Sequence, residues 1–274
     1  MALRSHVLAA ASFGPYGGEL NYAADLWPSV PSESLCIVDR AYLAATVLMP
    51  LEAGGQNRHW LTRARAKKNW RVVKQLAPGD ALVELEVSRY AQGQNDELPK
   101  TWLARAINYR REGHDAEVLL TSLVNAEQYP AAEIVGLYHE RWEIELGYDE
   151  IKTELLEREE TIRSKSPEGV AQEMRGILIA YNLVRLEMER IADEIDVPPC
   201  RISFVAALRF VRDEWHWSWI TGSPGAIPHH LSDMREKSRR FLLPPRRPER
   251  SYPRAVKIKM SNYTRNRRRG GRLK

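Results

Sequence analysis

The sequence contains little cysteine and no long apolar run. Cys36 and Cys200 are its two cysteines among 274 residues, too few for a disulfide framework or a cysteine-based metal cluster. No run approaches the ~20 apolar residues of a membrane span. We therefore expect a protein of the reducing cytosol. With 43% hydrophobic and 28% charged residues, the chain has a globular composition and is long enough for a sizeable core.

Motifs for binding nucleotide phosphates are also missing. The chain has neither a P-loop nor a G-x-G-x-x-G sequence, and no internal repeat. The pair His229-His230 is isolated, which is typical of surface histidines and not of a metal site. These absences leave the carboxylates and the basic residues as the groups that carry function.

Positive charge is concentrated at the C-terminal end. Residues 246–274 contain twelve Lys or Arg and one acidic residue, so this segment carries +11 and the other 245 residues carry −6. A polyanionic partner is one interpretation, with Arg267, Arg268 and Arg269 as its clearest contacts. The alternative is a disordered tail that keeps the protein in solution.

The first third of the chain alternates between strand-like and helical segments, which predicts an α/β sheet. We expect strands at Ser5–Ser12 and Leu35–Val38, the second buried and parallel, and helices at Glu19–Trp27 and from Asp39-Arg40 to about Ala53.

The pattern then changes to short alternating runs separated by turn signals, which predicts an antiparallel β region between His59 and Val124. Its expected strands are Trp60–Ala66, Arg71–Lys74, Ala81–Val87, Trp102–Tyr109 and Ala116–Leu123. Helices are expected at Pro167–Ile195 and Ile202–Trp215, and no packed structure beyond Gly222.

A long helix is predicted for Ala131–Glu157, which follows Pro130 and contains only two glycines. Four of its polar residues have offsets of 0, 3, 7 and 14, and at about 100° per residue they share a sector about 60° wide. The four are Tyr138, Arg141, Glu145 and Lys152. The apolar residues Leu137, Ile144, Ile151 and Leu155 fall on the adjoining face.

Asp39 follows a predicted buried strand, where parallel sheets present their functional groups. Together with Glu145 it would form an all-oxygen site suited to Mg²⁺ or Mn²⁺, beside which Tyr138, Arg141 and Lys152 could bind phosphates. Two alternatives remain open. The helix could carry only surface ion pairs, and Asp39 could cap the helical segment after it.

The spacing Tyr138-x2-Arg141-x3-Glu145-x6-Lys152 resembles the Tyr-Arg-Glu-Lys signature of bacterial insertion-sequence DDE transposases of the IS-four type. Val38–Tyr42 (VDRAY) is similar to the family's segment around its second catalytic Asp, with FGPY upstream. The resemblance covers about residues 5–190 and extends to Arg163–Pro167 (RSKSP) and the AYNL sequence that begins at Ala180.

The resemblance implies a ribonuclease-H-like core interrupted by a β-rich insertion and followed by C-terminal helices and a basic tail. The implied division is a partial core with the second catalytic Asp at 1–57, an antiparallel β insertion at 58–128, the Glu helix and later helices at 129–222, and a disordered Pro/Arg-rich tail at 223–274.

The implied chemistry is cleavage at transposon ends and transfer of the 3′-hydroxyl to target DNA, with two divalent ions held by an Asp-Asp-Glu triad. Asp39 and Glu145 would be the catalytic metal ligands, and Tyr138, Arg141 and Lys152 the contacts to the DNA end. A tryptophan of the insertion (Trp60, Trp70 or Trp102) could stack on a base. The family implies double-stranded DNA as partner, a homodimer, and a bacterial cytoplasmic, nucleoid-associated setting without a membrane.

The first Asp of the triad has no match, because only twelve residues precede Phe13 and none is acidic. We therefore expect an N-terminally truncated transposase that does not cleave DNA alone and whose Leu35–Val38 strand lies at an open sheet edge. The alternative function is a non-catalytic protein that binds DNA or a full-length transposase as an inhibitor or remnant.

Overall fold

The computed structural model describes residues 1–15, 18–65, 70–111, 115–156, 162–221 and 223–244, with side chains except at 218–221 and 238–239. Residues Met1–Leu242 form one compact unit, and Leu243–Lys274 a second, of which 243 and 244 are described.

Six strands form a single sheet in the order β1-β2-β6-β5-β4-β3. The first two are parallel and every other pair is antiparallel, so the expected antiparallel region is present. The strands are β1 (Ser34–Ile37), β2 (Arg58–Arg63), β3 (Trp70–Ala77), β4 (Asp80–Glu86), β5 (Thr101–Tyr109) and β6 (Glu117–Thr121).

Six α-helices of the described residues lie where helices were predicted, and two, at residues 89–94 and 227–238, were not predicted. They are α1 (Ala23–Leu26), α2 (Ala45–Ala53), α3 (Arg89–Gln94), α4 (Ala131–Glu140), α5 (Trp142–Asp149), α6 (Pro167–Glu194), α7 (Phe204–Thr221) and α8 (Ile227–Ser238). Ser166 caps α6 by accepting a hydrogen bond from the Gly169 N–H, and Pro167 occupies the first turn, where its missing N–H costs nothing.

The sheet is covered on both faces, because neighbouring residues of a strand point to opposite sides. Trp60 of β2 faces a core shared with Leu48 and Leu51 of α2. Leu61, the next residue, faces a second core that includes Ile134 of α4. A third core lies among the helices of the C-terminal half, with Tyr181 and Met188 of α6 fully buried.

This mixed α/β architecture is the predicted fold class, and β1 is parallel to its neighbour as expected. The sheet crosses the boundary that the sequence placed at residue 57, since β1 and β2 are hydrogen-bonded partners. A ribonuclease-H-like core stays a prediction. Among the described strands β2 is the only partner of β1, whose four residues are all half-buried and not buried.

Two local predictions are wrong. Residues 5–12 form no strand: His6 has a left-handed backbone (φ 60°), and the backbone of Leu8 is hydrogen-bonded to the side chain of Asn182 and not to a strand. Beyond residue 222, where no packed structure was expected, α8 packs on the C-terminal core through the fully buried Met234. Arg235 fastens the same helix to Glu187 of α6.

Candidate active site and nucleic-acid interface

Asp39 lies two residues beyond the carboxyl end of β1, at the start of a short 3₁₀ turn (Arg40–Tyr42). Its Oδ1 accepts a hydrogen bond of 2.9 Å from the Ala41 N–H, so the capping role that the sequence left open is real. Its Oδ2 has no hydrogen-bond partner among the described residues. The carboxylate lines an open depression with Arg40, Ala41 and Arg65, so one oxygen is free to contact a ligand.

Arginines surround this depression because β1 and β2 are parallel and their carboxyl ends meet. Arg65 donates to the carbonyl oxygens of Arg40 (3.1 Å) and Ala41 (2.7 Å), which fixes its guanidinium beside Asp39. Arg63 forms an ion pair of 2.9 Å with Glu117. The sequence analysis missed both arginines, although their alternation at the end of a strand parallel to β1 was a usable signal.

The predicted long helix is interrupted twice. At Arg141 the hydrogen bonds shorten to three residues, since the Arg141 N–H binds the Tyr138 carbonyl (3.1 Å) and the Ile144 N–H binds the Arg141 carbonyl (3.1 Å). From Glu150 to Leu155 the backbone forms a π-helix. Each change alters the rotation per residue, so the four polar residues do not keep the single face that an ideal helix predicts.

Three of the four residues still lie together. The Arg141 Nη2 is 3.4 Å from the Glu145 Oε1, and its guanidinium carbon is 6.0 Å from the centre of the Tyr138 ring. Glu145 keeps 45% of its side chain exposed, so its carboxylate is accessible. A contact of this length and exposure contributes little to stability. The arrangement therefore leaves Glu145 available to a ligand.

The charge of Asp39 acts on Tyr138, one of these three residues. Burial raises the pKa of the Tyr138 hydroxyl, the charges of Arg141 and Arg63 lower it, and those of Glu117 and Asp39 raise it further. Tyr138 is thus a neutral hydrogen-bond donor at any physiological pH. Tyr138 thus contacts Arg141 and is close enough to Asp39 for its charge to act on the hydroxyl.

Lys152 is an exposed residue of the π-helix and has no contact with the other three among the described interactions. Its Nζ is 5.7 Å from the centre of the Tyr148 ring, a cation–π contact. Tyr148 remains electrostatically coupled to the Asp39 region, because burial raises the pKa of Tyr42, and Glu19, Tyr148 and Asp39 raise it further. Among the described contacts, Lys152 thus meets Tyr148 and neither Arg141 nor Glu145.

A buried polar cluster, which the sequence analysis missed, holds the helix that carries Glu145. Arg185 of α6 donates to Glu150, and the Tyr181 hydroxyl donates to the same carboxylate oxygen at 2.8 Å. His6, only 2% exposed, bridges to Glu143 (3.2 Å) and lies 2.7 Å from the Arg185 Nη2.

His6 contacts acidic groups through both of its ring nitrogens. Its Nε2 is 3.2 Å from Glu143, and its Nδ1 is 3.4 Å from Glu150 and 2.7 Å from the Arg185 Nη2. The cluster ties the N-terminal segment and α6 to both sides of Glu145. Its charged members are far apart in sequence, so no local pattern pointed to it.

The predicted metal ligands have suitable donor atoms but no cluster of further ligands among the described residues. Asp39 and Glu145 offer the hard oxygens that Mg²⁺ prefers. Within the described ranges, however, no three His, Cys, Asp or Glu side chains lie close enough to hold a metal ion. The described residues therefore do not by themselves fit a two-ion site.

Two of the three tryptophans considered for base stacking are core residues. Trp60 is completely buried and Trp102 is 7% exposed, with ring centroids 5.2 Å apart. Trp70, at the start of β3, is half-buried. The basic contacts predicted at Arg267, Arg268 and Arg269 lie outside the described residues.

The chain is similar to known proteins over most of its length. The family profile described as "Transposase DDE domain" matches residues 14–183. The chain is 36% identical over 265 residues to "Transposase InsG for insertion sequence element IS4" of Escherichia coli (strain K12). The match covers 96% of this chain and 59% of that relative, so the chain spans about three fifths of its length. Among the described helices, none is long and apolar enough to cross a membrane.

Proposed function

This chain belongs to the IS4-type DDE transposases, and on that premise we propose that it is a DNA strand transferase component that binds transposon ends. Asp39 and Glu145 are its catalytic carboxylates. Tyr138, Arg141 and Lys152 bind the phosphates of the DNA end, and the basic segment with Arg267, Arg268 and Arg269 adds non-specific affinity. The partner is double-stranded DNA, bound by two copies of the protein on paired ends.

The observation that supports this proposal best is the grouping of Tyr138, Arg141 and Glu145 beside a depression lined by Asp39 and Arg65. A phosphodiester needs cations and hydrogen-bond donors for its oxygens, next to carboxylates. Arg65 and Arg141 supply the cations and Tyr138 the donor. Ion pairing on the helix surface alone would not explain why the charge of Asp39 also acts on the Tyr138 hydroxyl.

Transposases of the DDE family generally depend on divalent metal ions. In this chain Asp39 and Glu145 would contribute oxygen ligands for Mg²⁺ or Mn²⁺, which polarise the scissile phosphodiester when bound. Two carboxylates provide too few ligands for two ions. We therefore expect the 274-residue chain alone to bind DNA ends without cutting them.

The test uses a DNA duplex that carries the terminal inverted repeat of the element encoding this chain. The purified chain with Mn²⁺ should retard this duplex in a gel and leave both strands intact. Arg141→Ala should reduce the affinity for the duplex, whereas Arg71→Ala, which removes an exposed arginine paired with Glu84 on β3, should not. Equal affinity of the two variants would contradict the proposed site.

A second function is a non-catalytic inhibitor that coats DNA through its basic segment. The charge of +11 on residues 246–274, on a chain that otherwise carries −6, favours it. It predicts that deletion of 246–274 abolishes salt-sensitive DNA binding and that Glu145→Ala leaves binding unchanged. Preference for the terminal repeat that survives the deletion would support the transferase component instead.

A further inference from the structure

Helix α6 presents an apolar ridge to solvent that no described residue covers. Ile179 is 61% exposed, Leu183 42% and Leu186 40%. On this 28-residue helix the opposite face is buried, with Tyr181, Val184 and Met188 in the core. Aliphatic side chains exposed in a row on one helix are typical of an interaction surface.

The ridge has the spacing of a coiled-coil seam. The exposed residues Gln172, Gly176, Ile179, Leu183, Leu186 and Arg190 alternate between intervals of four and three residues. We name these six residues the α6 seam. An alternating 3-4 spacing is the pattern that pairs one helix with another along a shared axis. The partner that fits is therefore a helix with a complementary row.

We propose that the α6 seam pairs antiparallel with the α6 seam of a second copy of this chain. In the register that we assign, Leu183 faces Ile179 of the second copy, and Ile179 faces Leu183. Leu186 enters the space above Gly176 of the second copy. That space is open, because a side-chain carbon built at Gly176 would meet no atom within 4 Å.

The charges on one side of the seam support this orientation. In the same register Arg175 lies opposite Glu189 of the second copy, and the symmetry of the pair repeats the contact. Neither residue has an ion pair or hydrogen bond among the described residues. At the seam's ends Gln172 faces Arg190, whose remaining donors can bind the amide oxygen.

A parallel pair fits worse. It would place Arg190 against Arg190 of the second copy and Gly176 against Gly176, so that like charges meet at one end and a void forms at the other. The antiparallel pair replaces both with favourable contacts. Each copy contributes only three apolar side chains, so we expect association in the micromolar range, weaker than a permanent dimer.

This pairing deepens the proposed two-copy assembly on paired ends, but its test needs no DNA, so the two can fail separately. Sedimentation equilibrium of the full chain should show a concentration-dependent dimer. Leu183→Lys should weaken dimerisation at least tenfold, while Leu103→Lys, a matched exposed leucine on β5 (49% exposed), should not. A monomer at all concentrations, or a dimer insensitive to Leu183→Lys, would overturn the proposal. Circular dichroism and thermal melting confirm that each variant is folded.

Charge reversal and cross-linking test the register. Arg175→Glu and Glu189→Arg should each weaken the dimer, and the double variant should restore it. Mixed chains carrying Gly176→Cys and Leu186→Cys should form a disulfide, whereas Leu186→Cys alone should not, because two copies of position 186 are then about 15 Å apart along the axis. The parent chain with Cys36 and Cys200 is the control. Efficient self-cross-linking of Leu186→Cys would show a parallel pair and overturn the assignment.

Discussion

The side-chain amide of Asn182 binds both backbone groups of Leu8. Its Oδ1 accepts from the Leu8 N–H at 2.8 Å and its Nδ2 donates to the Leu8 carbonyl at 2.8 Å. Asn182 of α6 thus makes the two backbone hydrogen bonds to Leu8 that a neighbouring strand would otherwise make. The irregular N-terminal segment that contains Leu8 also places His6 in the buried cluster beside Glu143 and Glu150.

Asn182→Ala should therefore destabilise the protein by about 1–3 kcal/mol, since it leaves two backbone groups of a half-buried segment without their partners. Urea unfolding measures the loss. Gln128→Ala, which removes an exposed amide with no described side-chain hydrogen bond, is the matched control and should change stability by less than about 0.5 kcal/mol. Similar values for both variants would show that the Leu8 contact contributes nothing.

The completely buried Arg105 should be the most sensitive charged residue of the sheet. It binds both carboxylate oxygens of Asp80 (2.7 and 2.5 Å) and the carbonyl of Tyr129 (2.6 Å), directly before α4. Arg105→Met should cost about 3–5 kcal/mol, because Asp80 is left charged and buried.

The double variant Asp80→Leu with Arg105→Met should recover part of that loss, since it removes the unpaired charge. Chemical unfolding of the two single variants and the double variant measures the coupling. Additive losses would mean that the pair does not act as a unit.

Glu150 should make stability depend on acid pH. Burial raises the pKa of its carboxyl, but hydrogen bonds from His6, Arg185 and Tyr181 and the Arg185 charge outweigh burial, and the net pKa is lowered. The folded pKa is thus below the unfolded value of about 4.3, so the stabilisation is present above that pH and is lost as the pH falls through the folded pKa.

The measurement is the difference in unfolding free energy between the parent chain and Glu150→Gln. It should be constant from pH 7 to about 5 and should shrink as the pH falls towards 3. Glu154→Gln, on the same π-helix and without a described ion pair, is the control. A pH-independent difference would contradict the assigned charge of Glu150.

Arg65 should contribute to DNA binding through a phosphate contact. Its guanidinium is held beside Asp39 by two carbonyl oxygens, and it forms no ion pair among the described residues. Arg65→Gln should weaken duplex binding at all sequences and lower the salt slope by about one unit. Arg71→Gln is the control, since Glu84 already pairs with Arg71. An unchanged slope for Arg65→Gln would remove this residue from the interface.

Gly79 should resist substitution, because it turns the chain between β3 and β4 with φ 77° and a built side-chain carbon would lie 3.1 Å from the Asn108 carbonyl oxygen. Gly79→Ala should cost about 1–2 kcal/mol. Gly93→Ala in α3, where nothing lies within 4 Å, should instead be neutral or stabilising by up to about 1 kcal/mol. Thermal unfolding of the two variants separates the cost of backbone strain at Gly79 from a general sensitivity of the protein to replacing glycine by alanine.

Local patterns predicted much of the secondary structure. Alternation placed β3 to β6 within a few residues, since it reflects the two faces of a strand, and Ser166-Pro167 marked the start of α6. Predictions from local patterns failed where a residue distant in sequence decides the backbone conformation. Residues 5–12 have apolar character suited to a strand, but Asn182 and Arg185, more than 170 residues away, hold them in an irregular path.

In the candidate site, too, some features follow from the sequence and others from the tertiary structure. The sequence by itself determined the family signature, since the spacing of Tyr138, Arg141, Glu145 and Lys152 is a property of the chain alone. Only the tertiary structure decided which of them meet. The shortened hydrogen bonds at Arg141 and the π-helix of Glu150–Leu155 interrupt the ideal helix between these residues, and Arg185 of α6 binds Glu150, the first residue of that π-helix. Parallel pairing of β1 with β2 brings Arg65 to Asp39, because the ends of two strands become neighbours only once the sheet has formed.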